Sequence, residues 1–173
     1  VVSDVGNGTF IHNDGVVKQD TITLGKHLYF TGFYELHDGL IQINDVNSRP
    51  RIDFGGLFII GRGGTGQFMQ YGGTVMMQRI NPGSPGIPNE YAQFIDGEII
   101  LGATFFEQNP AAGGPPDHFG QGTYYITGDD SLLRTSLLTI GREGRGTFIH
   151  DGGSVNVVNA LMLGVKFVRS VIL

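Results

Sequence analysis

Histidine and acid stand together three times in this chain, as His12-Asn13-Asp14, His37-Asp38 and His150-Asp151. Imidazoles and carboxylates gathered at one corner could bind a divalent cation or take part in catalysis. The acids do not recur strictly, because Gly72 and Asp129 stand at related corners. The calcium-binding nonapeptide G-G-x-G-x-D-x-U-x is also absent. Turn-capping acids and inward, hydrogen-bonded histidines are therefore expected, with no metal and no cofactor. Glycoside cleavage would need two carboxyls about 5–9.5 Å apart across a groove. Asp129-Asp130 is the one adjacent acidic pair and reads as a turn, while Asp96 and Glu98 share one face of QFIDGEIILG. No Lys or Arg beside either pair offers a lyase base, so a solvated strand face is expected and no catalytic residue is assigned. GRGGTG (61–66) has the look of a phosphate loop, yet no Lys-Ser/Thr follows and no helix can start there. It matches GREGRG (141–146), which makes both of them corners and puts Arg62 and Arg142 at equivalent places, a candidate basic column. Tyr29, Phe30, Phe33, Phe105, Phe106 and Phe119 are candidate contact aromatics. Exposed rings could stack on sugars, but packing of insertions or a contact between subunits is the nearer expectation.

The elements that must position these groups follow from composition. The 173 residues suit one domain, 1–173. There are 29 glycines, where average usage would give about 12. No Gly-X-Y period accompanies them, and 40% hydrophobic residues are too many for a disordered linker. A turn-rich all-β protein remains. Charged residues are only 16% and the net charge is −5, which argues against nucleic acid. Without cysteine there are no disulfides or thiolate sites. No apolar run reaches the length of a membrane span, so the chain is not expected to be transmembrane. Beginning at Val1, without a signal peptide, it reads as a mature or excised piece.

Five segments share a Gly-x-aromatic start: GTFIHNDGVV from Gly8, GFYELHDGLI from Gly32, GQFMQYGGTV from Gly66, GTYYITGDDSLL from Gly122 and GTFIHDGGSV from Gly146. Each runs on to an aliphatic-Gly anchor, namely Leu24-Gly25, Ile60-Gly61, Leu101-Gly102, Ile140-Gly141 and Leu163-Gly164. Within a unit three short strands are expected, as in Phe148–His150, Ser154–Val157 and Leu161–Leu163. That predicts a three-sided parallel β-solenoid of about five rungs, with strands stacked about 4.8 Å apart. Extra length falls in loop insertions near 44–54, 80–92 and 103–121.

GTYYITGDDSLL, GQFMQYGGTV and GTFIHDGGSVNVVNALMLG resemble the β-strand repeats of large bacterial surface proteins. These are of the autotransporter-associated type abundant in planctomycetes and related phyla. Their units read G-T-Y-x-L-x-G-G-x-L and G-x-G-T-F-x-Q-x-G-G-T-V, ending L-x-L-G or I-G. The likeness covers most of the chain, apart from the insertions and the terminal VKFVRSVIL. It implies a right-handed parallel β-helix outside the cell, at the surface or extracellular, and carries no catalytic residues. The chain departs from it in longer insertions, and in His12 and His150 where the pattern has Gln.

One further pattern is internal. The aromatics run Phe10, Tyr34, Phe68, Tyr124, Phe148, and two positions later stand His12, Leu36, Gln70, Ile126, His150. Phe travels with His or Gln, and Tyr travels with an aliphatic residue. Shared parity predicts a core aromatic column beside an inward polar seam of His12, Gln70 and His150, the phenol of one rung meeting the polar group of its neighbour. Both ends look uncapped, which points to a cut from a longer protein or to end-to-end stacking of copies. The expected function is structural: a non-enzymatic subunit of an extracellular bacterial fibre, filament or surface layer, whose expected partners are further copies of itself, end to end or laterally. An adhesin or glycan-binding segment is the alternative. A β-helix polysaccharide lyase or hydrolase lacks its acid–base pair.

Overall fold

In Thr31–Leu36, Thr65–Gln70 and Gln121–Ile126 every second residue is buried, the two-residue period of a strand. The computed structural model describes residues 6–43, 56–77, 79–80, 93–94, 97–105 and 118–164. It is all-β, with no helix among the described residues. The first repeat forms β1 (Gly8–His12), β2 (Val16–Gln19) and β3 (Thr21–Leu24), and the second β4 (Thr31–Leu36), β5 (Leu40–Ile43) and β6 (Gly56–Arg62). The third begins with β7 (Thr65–Gln70) and β8 (Thr74–Met77), passes through β9 (Arg79–Ile80) and β10 (Gln93–Phe94), and ends in β11 (Gly97–Phe105). After β12 (His118–Phe119) come β13 (Gln121–Ile126) and β14 (Leu132–Ile140), then β15 (Arg145–His150) and β16 (Ser154–Leu163).

Leading strands pair only with leading strands, in a parallel sheet of order β1-β4-β7-β13-β15. A nine-stranded sheet of order β2-β5-β8-β14-β11-β6-β3, with β16 on β14 and β12 on β11, carries the rest. Its two ends are the second-strand and third-strand stacks, joined because β14 pairs β8 through Leu132–Arg134 and β11 through Leu137–Ile140. Separate second and third strands were expected throughout. In the last two repeats they run as one in β14 and β16, whereas in the first, which also lacks an insertion there, Asp20 parts β2 from β3. The bend is taken up by a register shift between Thr135 and Leu137, where the buried Thr135 hydroxyl donates to the carbonyls of Gly97 and Leu137.

The core collects from all three stacks. Tyr34, Phe68 and Tyr124 of the leading strands share one buried cluster with Ile41 and Val75 of the second strands and with Phe58 and Ile99 of the third. Corner geometry explains the anchors. Gly61 has φ 78° and Gly102 φ 69°, left-handed values that an L side chain resists. A Cβ on Gly61 would also strike the carbonyl of Gln121, and one on Gly102 that of Arg145, both on leading strands further along the stack.

Most of each expected insertion lies outside the described residues. Two are closed at the root by antiparallel pairs: β9 with β10 (Ile80 opposite Gln93), and the end of β11 with β12 (Thr104 opposite Phe119).

Candidate functional site: the aromatic column and its polar seam

Register alone sets the column. Phe10 pairs with Tyr34, Tyr34 with Phe68, Phe68 with Tyr124 and Tyr124 with Phe148. Successive ring centroids lie 4.8, 5.1, 4.8 and 5.3 Å apart, all tilted between 35° and 52°. These separations suit offset aromatic contact, which adds stabilisation beyond area burial alone.

Two residues on, the same register aligns His12, Leu36, Gln70, Ile126 and His150. His12 is buried, and its Nδ1 lies 3.1 Å from the Tyr34 hydroxyl. The Tyr124 hydroxyl donates to Gln70 Oε1 at 2.6 Å. Gln70 in turn donates from Nε2 to the carbonyls of Gly73 at 2.9 Å and Leu132 at 3.3 Å, so both ends of its amide are used. Burial pushes the phenols of Tyr34 and Tyr124 well up from their ordinary range, which keeps them protonated as donors. The seam is thus made of pairs: repeat one with repeat two, and repeat three with repeat four.

His150 departs from the expectation of burial. It occupies the register position of Gln70 and, like Gln70, uses a side-chain nitrogen on the corner carbonyl three residues on, Nε2 to Gly153 at 3.2 Å. It is nevertheless exposed, because β15 is the outermost strand of its sheet. Phe10 at the opposite edge is 42% exposed for the same reason. Phe148 is half-buried.

The candidate chemical groups are otherwise engaged in the architecture. Asp14 and Asp38 each accept the N–H of the following glycine, at 2.5 and 2.6 Å, as corner caps. Asp151 accepts from the Tyr125 hydroxyl at 3.0 Å. His37 is exposed, bonded to Glu35 at 3.0 Å and stacked on Tyr71. Asp129 and Asp130 are exposed in a turn, and Asp96 lies outside the described residues. Among the described residues no three His, Asp or Glu side chains gather in a metal-like group.

Glu98 does not sit on a solvated face. Ile59, Ile100 and Ala103, with Leu57 against them, form a second apolar cluster on the outward parity of the third-strand stack. Glu98 is half-buried there, accepting from the Thr139 hydroxyl at 2.6 Å and pairing with Arg142 at 3.1 Å. Arg142 is thereby drawn into an ion pair and is not a member of an open basic column. The sequence signal that could have found this was the run Leu57–Ile60, apolar on both parities.

The contact aromatics scatter. Tyr29 is 88% exposed and Phe119 65%, whereas Phe30 and Phe33 are half-buried, Phe33 lying between Thr9 and Gln67 in register. Phe105 closes β11 opposite His118, and Phe106 lies outside the described residues. No helix among the described residues is long and apolar enough to cross a membrane. Comparison with family models, with curated proteins and with solved structures finds no match.

Proposed function

We propose that this chain is a right-handed, three-sided parallel β-solenoid that serves as a non-enzymatic structural module of an extracellular bacterial fibre, filament or surface layer, lengthened by stacking at its ends. The observation that carries the reading is the state of the outermost repeats. Leu161 and Leu163 share register with Leu138 and Ile140, whose parity faces the core, yet they are 57% and 69% exposed. With Phe10 at the other edge of the described sheet, column and core-parity side chains are partly exposed at both edges of the described stack. Parallel strands with unpaired edges and apolar interiors are templates for further strands. The resemblance of the repeats to bacterial surface proteins supports the location, and the engagement of Asp14, Asp38, Glu98 and Asp151 in structural bonds supports a module without chemistry of its own.

Negative-stain microscopy of the purified chain, with light scattering over a concentration series, tests this. Ordered linear particles that grow with concentration are the expected result. Monomer at every concentration would overturn the assembly. The exposed Tyr29 and Phe119 rings favour a second reading, a glycan-binding segment. It predicts oligosaccharide binding that is lost on Tyr29→Ala or Phe119→Ala.

A further inference from the structure

The leading strands carry another column on their outward parity, where Ile11, Glu35, Met69, Tyr125 and Ile149 stand in register. Phe33 lies two residues before Glu35, and Tyr71 follows at the corner two residues beyond Met69. Ile11, Tyr71 and Ile149 are exposed, while Phe33, Met69 and Tyr125 are half-buried. Past the glycine of each Gly-x-aromatic segment these strands hold no Lys or Arg, and Arg145, just before Gly146, is the one cation on them. On the second-strand stack, by contrast, Lys18 and Arg134 stand outward, next to Val17 and Leu133 of the core. A face rich in aromatic residues and methionine and poor in lysine has the composition of an interface core. Its two carboxylates are already engaged, Glu35 with His37 at 3.0 Å and Asp151 with the Tyr125 hydroxyl at 3.0 Å.

We propose that this face pairs side by side with the same face of a second copy. The two-fold axis lies parallel to β7 and passes over Met69, so the two stacks of strands run in opposite directions. Across the five strands that symmetry sets Met69 on Met69, Ile11 on Ile149 and Glu35 on Tyr125, an isologous contact with apolar pairs at its centre and both ends. A two-fold axis along the stack would instead set Glu35 on Glu35, like charges in a contact that excludes water. Methionine suits the axis, because its unbranched side chain fills an irregular gap. Five strands about 4.8 Å apart and three outward residues deep offer on the order of 500 Å² a side. Two such sides reach only the lower bound of a specific interface, about 1,000 Å² in all, so single chains pair weakly. The contact goes beyond the end-to-end stacking proposed above, and stacking multiplies it along a filament.

The chain has no cysteine, so one introduced thiol reports one contact. Met69→Cys, Ile11→Cys and Lys18→Cys chains are each treated with a bismaleimide that crosses the roughly 10 Å between packed sheets. Negative-stain microscopy of the same samples shows whether filaments form. Met69→Cys is expected to give crosslinked dimer in large excess over Lys18→Cys, whose thiol lies on another face. Ile11→Cys is expected to stay at the Lys18→Cys level, because opposed stacks carry its two copies to opposite ends of the contact. Ile11→Cys dimer as abundant as that of Met69→Cys would overturn the opposed arrangement. Met69→Cys no better than Lys18→Cys would overturn the pairing of faces, and filaments in that sample would leave stacking intact. Abundant Met69→Cys dimer without filaments would sustain the side-by-side contact and overturn stacking.

Discussion

Tyr124 and Gln70, 54 residues apart in sequence, share a 2.6 Å hydrogen bond inside an otherwise apolar column. Both side chains are fully buried, so neither can recover its partner from water. Tyr124→Phe is expected to cost about 1–3 kcal/mol by stranding Gln70 Oε1. Adding Gln70→Leu should return most of that loss, since Gly73 keeps the N–H of Leu132 on its carbonyl. Urea unfolding of the two single variants and the double variant measures the coupling. Additive losses would show that the bond is not the source of the cost.

The two buried phenols set an alkaline limit. Burial raises both Tyr34 and Tyr124 in the folded chain, whereas an unfolded tyrosine titrates near 10. Their contribution is therefore complete below about pH 10 and is lost as pH rises toward the folded values, because the unfolded chain then releases protons that the folded chain retains. Each phenol should steepen the decline by about 1.4 kcal/mol per pH unit. Stability measured from pH 8 to 11.5 should be flat and then fall. A decline beginning near neutrality would point to other groups.

The aromatic column was legible in the sequence because Gly-x-aromatic fixes both a corner and a strand parity, and parity fixes which side chains align across repeats. The Tyr34–His12 and Tyr124–Gln70 pairs follow from that register. The exposure of His150 did not follow, because parity says which way a residue points and not whether anything lies above it. Nor did the position of Glu98. Its bond to Thr139 crosses to the neighbouring strand 41 residues on, its bond to Arg142 reaches the corner beyond that strand 44 residues on, and no local pattern encodes either. The fusion of second and third strands in β14 and β16 was hidden because a bulge, unlike a glycine corner, leaves no mark in composition.

The anchor glycines separate two costs that composition merges. Gly102 and Gly164 have similar φ values, 69° and 62°, but a Cβ on Gly102 meets the Arg145 backbone whereas one on Gly164 meets nothing within 4 Å. Gly164→Ala should cost only the left-handed penalty, about 1–2 kcal/mol. Gly102→Ala adds a backbone collision between repeats and is expected to cost on the order of 4 kcal/mol or more. Thermal unfolding of the pair decides it. Equal losses would mean that φ alone explains the glycine column.

Glu98 tests whether an acid once suspected of chemistry is structural. Thr139 is fully buried and donates to one carboxylate oxygen, while Arg142, with 35% of its side chain exposed, meets the other. An ion pair this accessible is screened, so Arg142→Ala should cost less than about 1 kcal/mol. Glu98→Ala removes the acceptor of a buried hydroxyl and should cost about 1–3 kcal/mol. Glu98→Gln keeps an oxygen for Thr139 and should stay close to the parent, with the remaining difference shrinking as salt is raised. Denaturant midpoints at low and high salt distinguish the terms. A Gln variant as unstable as the Ala variant would place the weight on the charge and not on the hydrogen bond.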